Sequence, residues 1–237
     1  MMVTGVYRIA EHCVRIESVY ETVHVMCAAY ADAGEPECVI TITPADIEAE
    51  RAYQGANSSL LPQHYETAAV YRRLVEWLLE KDIVLFHGSC LAVGGNAYLF
   101  TAPSGTGKST HAALWRKCYG EEVTMVNDDK PLLKITPQGV VAYGTPWNGK
   151  HRLGENIAVP LRAICFLERG TENRIEPAEY FESFPNLLSQ VYRPEQKEAL
   201  EHTLSLLDTL AEHVRFYRLT CTMDPAAAEV ARQGLEA

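Results

Sequence analysis

The stretch that decides the fold is AYLFTAPSGTGKSTHAALW, residues 97–115. An apolar run, AYLFTA, reads as a strand; residues 103–108 make a glycine-rich turn; and 108–118 fit a helix. Within it, Ser104-Gly105-Thr106-Gly107-Lys108-Ser109-Thr110 matches a phosphate-binding P-loop in the strand-to-helix context that such a motif requires. Gly105 and Gly107 allow backbone conformations closed to other residues, so successive N–H groups can face one anion. The helix start adds its positive dipole end. Lys108 supplies a mobile charge for the β- and γ-phosphates, and the Ser109 hydroxyl can ligate Mg²⁺. The expected ligand is a nucleoside triphosphate with Mg²⁺. Ala102 stands where the usual pattern has its first glycine, a position that accepts Ala if φ is negative.

Downstream, the strand VTMV empties into Asn127-Asp128-Asp129-Lys130. Beside a γ-phosphate, one carboxylate can hold Mg²⁺ and the other can accept a proton from an attacking hydroxyl. Adjacent strand residues point to opposite sides, so the two do not share one role. Upstream, His87 lies in IVLFHGSCLAV, residues 83–93, read as a strand that His87 ends or interrupts and that turns at Gly94-Gly95-Asn96 to pair with AYLFTA. That places His87 near the phosphates. The loop 144–156 carries Lys150, His151 and Arg152 beside Trp147. Arg152 or Lys150 can stabilise charge on a departing phosphoryl group, and Trp147 reads as packing beneath the loop. Arg162, Arg169 and Arg174 read as surface charges.

The run HGSCLAVGGNAYLFTAPSGTGKST followed by NDDK resembles the catalytic core of HPr kinase/phosphorylase, and it is similar to the nucleotide site of ATP-dependent phosphoenolpyruvate carboxykinase. The resemblance covers residues 84–135 well and 136–170 loosely. It implies an α/β fold: a P-loop core with a mixed β-sheet flanked by helices. It implies that His87 faces the transferred phosphate or a second metal, that Asp128 is the general base, and that Asp129 binds metal with Ser109. Lys130 stands where the kinase family has Arg, and Gly144-Thr145-Pro146-Trp147-Asn148-Gly149 stands where that family has Glu-Arg-Gly-Leu-Gly-Ile. This segment looks more like the small HPr-kinase-like proteins found beside peptide-modification systems, some of which phosphorylate a serine on a precursor peptide. The activity implied is transfer of the γ-phosphoryl of ATP to a hydroxyl of a protein, peptide or small molecule. The alternatives are a catalytically weak nucleotide sensor or scaffold, and a carboxykinase-like enzyme, against which the 237-residue length counts.

The bulk numbers agree with this reading. With 47% hydrophobic and 22% charged residues, the chain can bury a sizeable core. A net charge of −10 argues against nucleic acid as a partner. Seven cysteines, odd in number and without a CxxC, read as reduced thiols in a cytoplasmic protein. No signal peptide and no membrane span is expected.

Around the motif, alternation at Tyr7, Ile9, Val14 and Ile16 predicts one or two strands over 5–17. A helix is expected over 19–31, a strand over 37–43, and a helix start at Thr43-Pro44 with Asp46. Residues 53–63 read as a loop and as the boundary between an α+β extension, 1–60, and the P-loop domain, 61–237. Helices are expected near 65–81, 178–191 and 195–213, the last with a stripe at Leu200, Leu204, Leu207, Ala211 and Val214. An antiparallel pair is expected around LLKITPQGVVAYG, buried strands at LRAICFLER and RFYRLTC, and a final helix after Asp224-Pro225. The first 60 to 80 residues and the region from 178 onward carry no chemical motif. They are the places for acceptor recognition or homo-oligomer contacts.

Overall fold

The computed structural model describes residues 2–55 and 60–236. Part of the loop expected at 53–63 lies outside them. The chain forms two compact units, Met1–Glu80 and Lys81–Ala237.

In the first unit, β1 (Val3–Ile9) and β2 (His12–Ser18) form an antiparallel hairpin, and β3 (Cys38–Thr41) joins β2 in parallel. The helix expected over 19–31 is shorter: α1 spans Thr22–Met26, and a single tighter turn follows. The start predicted at Thr43 is a reciprocal capping box with Asp46 opening α2 (Pro44–Tyr53). Helix α3 (Pro62–Leu79) belongs to this unit, so the division falls at Glu80, not at residue 60. Its own polar residues show why. Glu66 accepts backbone N–H groups of Val19 and Tyr20, Arg72 forks onto Glu50, and Arg73 reaches Asp46. The loop-like composition at 53–63 therefore does not coincide with the division, which follows α3.

The second unit is a mixed α/β layer structure around a sheet of nine strands among the described residues. In chain order these are β4 (Ile83–Leu85), β5 (Ser89–Val93), β6 (Asn96–Thr101), β7 (Thr124–Asn127), β8 (Leu132–Thr136), β9 (Gly139–Tyr143), β10 (Ala158–Arg169), β11 (Arg174–Pro177) and β12 (Arg215–Cys221). The helices are α4 (Lys108–Tyr119), α5 (Tyr180–Gln190), α6 (Lys197–His213) and α7 (Ala226–Glu236). Strand β10 is the hinge of the sheet. Its first residues pair with β9, and its remainder runs parallel to β6 on one side and β12 on the other. Ala163, Cys165 and Leu167 face the core beneath α4 and α7. Ile164 and Phe166 are buried on the opposite side, where Phe166 stacks on Phe216 and Tyr180 of α5 packs on Phe216. Burial on both faces explains the continuous apolar centre of that strand.

The interruption expected at His87 is present, and one strand is added to those expected. The run 83–93 is two strands: β4 pairs with β8, whereas β5 pairs with β6 and β7. The break falls at His87-Gly88. Their N–H groups donate to the Gln190 and Asp129 carbonyls instead of a ladder. A Cβ on Gly88 would come within 2.9 Å of the Phe100 carbonyl oxygen, so the chain crosses β6 too closely for any other residue. Strand β11, absent from the sequence reading, is a polar edge strand ending in proline, which no apolar alternation announces.

Candidate functional site

The pairing pattern brings three chain ends to one edge. β5 is antiparallel to both β6 and β7, so β6 and β7 run the same way. Ser89 lies opposite Phe100 and Cys90 opposite Asn127. The loop leaving β6, the segment entering β5 and the turn leaving β7 therefore meet. They carry Lys108, His87 and Asp128-Asp129 respectively. The α/β crevice at strand C-termini is where such sheets bind ligands.

The glycine-rich loop has the form the sequence implies. Gly105 and Gly107 hold φ of +80° and +126°. Gly107 caps α4 without any side-chain bond to the first turn, so the N–H groups at the helix start keep no intrahelical acceptor. Ser104, Ser109 and Thr110 are exposed and Thr106 partly so. Among the described residues the non-glycine positions with positive φ are Ala10, Glu11, Asp82 and Arg152, so Ala102 has the ordinary backbone that its side chain needs. Its methyl is buried in the core under α4, and its carbonyl accepts the Lys108 ammonium at 2.8 Å. Burial holds the Lys108 pKa below that of an ordinary lysine, against the pull of Asp129.

The turn after β7 is built by a residue the sequence reading passed over. Asn127 is fully buried. Its Oδ1 accepts the N–H groups of Asp129 and Lys130 at 2.8 and 2.6 Å, and its Nδ2 donates to Thr145 Oγ1 at 2.9 Å. The signal was present: Asn bonding the backbone two residues on is the ordinary Asx turn. This turn separates the two acids. Asp128 is 4% exposed; its Oδ1 accepts the Gly149 N–H at 2.6 Å, and its Oδ2 is buried without a hydrogen-bond partner among the described residues. Desolvation raises its pKa; the Gly149 bond opposes this, and the Asp129 charge adds to it. A Cβ on Gly149 would sit 3.1 Å from both carboxylate oxygens. Asp129 is more open, with Oδ1 3.5 Å from His87 Nε2 and Oδ2 3.7 Å from Lys130 Nζ.

His87 is held from the far side by Gln190 at the end of α5, whose Oε1 lies 2.9 Å from Nδ1. The Gln190 Nε2 meets Ser189 Oγ, so its carbonyl end faces the imidazole and Nδ1 carries the proton. Burial, and then the Lys108 charge, depress the His87 pKa. A neutral His87 thus directs a lone pair from Nε2 toward Asp129, and two acceptors share a gap that suits a proton or a cation. Nothing in the sequence pattern points to Gln190.

The loop 144–156 closes over Asp128 through backbone. Gly149 N–H meets the carboxylate, and Arg152 N–H returns to the Gly149 carbonyl with Arg152 at φ +51°. The Arg152 side chain is exposed, and no side-chain bond joins it to the loop or to the acids among the described residues. Trp147 is buried, the packing role expected of it. Arg169, read from sequence as a surface charge, is exposed and also reaches the glycine-rich loop: Nε donates to the Thr106 carbonyl at 3.1 Å and Nη2 to the Gly105 carbonyl.

Among the described residues no group of three or more His, Cys, Asp or Glu side chains is arranged to hold a metal, no cysteine is in a disulfide, and no helix is long and apolar enough to cross a membrane. No protein-family model and no curated protein matches the chain. Among solved structures, it is similar to the Hpr(Ser) kinase/phosphatase from Coxiella burnetii at 11% identity and a TM-score of 0.35, over 65% of this chain and 99% of that one.

Proposed function

We propose that this chain is a phosphotransferase that moves the γ-phosphoryl of ATP to a hydroxyl, with serine on a protein, peptide or small molecule as the acceptor class. The observation that carries it is the meeting of Lys108, His87 and the Asp128-Asp129 pair at one sheet edge beside the open start of α4.

The loop N–H groups from Ser104 to Thr110 and the Lys108 ammonium would bind the β- and γ-phosphates. Mg²⁺ suits the donors present, the exposed Ser109 hydroxyl and the Asp129 carboxylate, with phosphate oxygens supplying the rest. When bound it neutralises charge on the phosphate oxygens. Asp128 would take the acceptor's proton on Oδ2, the oxygen with no protein partner. The acceptor oxygen then bonds to the γ-phosphorus while the bond to the bridging oxygen breaks, and ADP departs with that electron pair. A carboxylate raised by burial is a stronger base than one in water. His87 and Arg152 would face the transferred group, and Arg152 must swing in to do so.

The test is incubation with γ-labelled ATP and a panel of serine-bearing peptides, small alcohols and proteins, comparing wild type with Asp128→Asn. Label on an acceptor with wild type alone supports the assignment. Equal transfer by both removes Asp128 as base. Tight ATP binding without transfer to any acceptor supports a nucleotide sensor instead.

A further inference from the structure

Strand β10 runs past the end of its neighbour. Its last pair with β6 is Phe166 with Thr101, where β6 stops and the glycine-rich loop begins. β10 continues for three more residues, still paired with β12 through Arg169 opposite Cys221. The extension is therefore a fixed strand, and it delivers Arg169 to the outer side of the loop.

There the planar guanidinium holds two consecutive carbonyls, Gly105 through Nη2 and Thr106 through Nε. In a trans peptide the C=O and the following N–H point in opposite directions. Fixing the Gly105 carbonyl outward turns the Thr106 N–H inward, where it closes a turn onto the Pro103 carbonyl at 3.3 Å. Fixing the Thr106 carbonyl outward turns the Gly107 N–H toward the inner side of the loop. Gly105 and Gly107 impose little conformational preference of their own. Without the guanidinium, only the 3.3 Å bond from the Thr106 N–H to the Pro103 carbonyl restrains the first of these planes, and the Gly107 N–H would be ordered only when a ligand arrived.

We infer that Arg169 is a positioning residue that pre-organises the glycine-rich loop for a polyphosphate by holding its carbonyls from outside. The inference rests on the phosphotransferase reading for its ligand class, but the restraint is a property of the loop itself. Arg169 touches no phosphate. It acts through the Gly105 and Thr106 peptide planes, and the fork matters more than the charge, because a lysine ammonium cannot grip two neighbouring carbonyls in one plane.

The experiment uses the full chain as wild type, Arg169→Ala and Arg169→Lys, with two readouts. Amide hydrogen exchange without nucleotide follows residues 104–108 against the interior of α4 as internal control. Calorimetry follows binding of pyrophosphate and of ATP with Mg²⁺. Both variants should exchange faster in 104–108 with the interior of α4 unchanged, and both should bind about tenfold more weakly, the effect of leaving roughly one residue to be ordered on binding. In the transfer assay KM for ATP should rise while kcat moves little. Unchanged exchange in the Ala variant overturns the inference, as does a Lys variant that restores wild-type exchange and affinity. If wild type binds neither pyrophosphate nor ATP, the phosphotransferase reading fails by itself, and the exchange measurement still decides whether Arg169 restrains the loop.

Discussion

The two units bury carboxylates in different ways. In the first, Glu50 is 5% exposed, and both its oxygens are used: Arg72 forks onto them at 2.9 Å, and Gln54 adds a third bond. Burial raises its pKa, but those bonds outweigh burial and the net shift is downward. Glu66 is fully buried and spends one oxygen on the N–H of Val19 and the other on that of Tyr20. In the second unit, Asp128 is as buried as Glu50 but has one backbone donor and an idle Oδ2. A buried polar atom left unmatched costs stability, so a fold that keeps one invites a functional reason. Glu50 and Glu66 tie helices and strands together. Asp128 ties nothing together through its Oδ2, and the proposed transfer would use that oxygen.

The largest test of that contrast is Asp128→Asn. Phosphoryl transfer should fall by about 10²–10⁴, the usual range for losing a general base. The same variant should be no less stable than wild type near neutral pH, with a melting temperature raised by about 2–4 °C if relief of the buried charge is worth about 1 kcal/mol. The sign follows from linkage. A carboxyl whose folded-state pKa is raised binds its proton more tightly when folded, so it favours folding at low pH and opposes it as pH rises through that raised value. The advantage of the Asn variant should therefore shrink as pH falls. A clear drop in melting temperature at neutral pH would mark Asp128 as structural, like Glu50.

His111, in the first turn of α4, offers a second case of an idle buried atom. Its Nε2 accepts the Trp115 indole N–H at 2.9 Å and its Nδ1 has no partner among the described residues. Burial lowers its pKa to about 4. The unfolded chain then takes up the proton first, so stability is lost as pH falls from the ordinary histidine value of about 6.5 toward about 4, by at most about 3 kcal/mol. Chemical denaturation between pH 7 and 4 should show this slope, and His111→Phe should flatten it. An unchanged slope would place the acid sensitivity elsewhere.

Glu50→Ala should behave in the opposite way to Asp128→Asn, because it leaves Arg72 facing a half-buried gap. A loss of about 2–3 kcal/mol is expected in denaturant titrations, below the full cost of breaking a wholly buried pair because Arg72 retains some solvent. Little or no loss would erase the difference between the two kinds of acid. The smallest effect belongs to the capping box: Thr43→Ala should cost about 1 kcal/mol and leave any transfer activity unchanged, since it removes only the bonds at the start of α2.

Much of the second unit was legible because its signals are local. The 97–115 segment shows strand, loop and helix in order; β10 shows its burial by its apolar centre; and Asp224 caps α7 as its sequence suggests, accepting the Ala226 N–H at 2.8 Å. The first unit was less so. Its boundary depends on Glu66, Arg72 and Arg73 reaching residues 22 to 47 positions away, and no composition shift marks such contacts. Strand β11 was missed for a related reason: its pairing with β12 supplies what its polar sequence does not.

Within the site, the sequence alone marked where the loop lies, because glycines at 105 and 107 permit the positive φ it needs and Lys-Ser follows them. It also carried the signal for the Asn127 turn that separates the two acids. Only the tertiary structure decided which carbonyls take up the chain at the His87 break, that Gln190 orients the imidazole from α5, that Gly149 covers Asp128, and that the exposed Arg169 also grips the loop. The reason is physical. Each of those relations follows from strand order and strand length in a sheet whose neighbours are far apart in the chain, and pairing across such distances leaves no periodicity in the residues that make it.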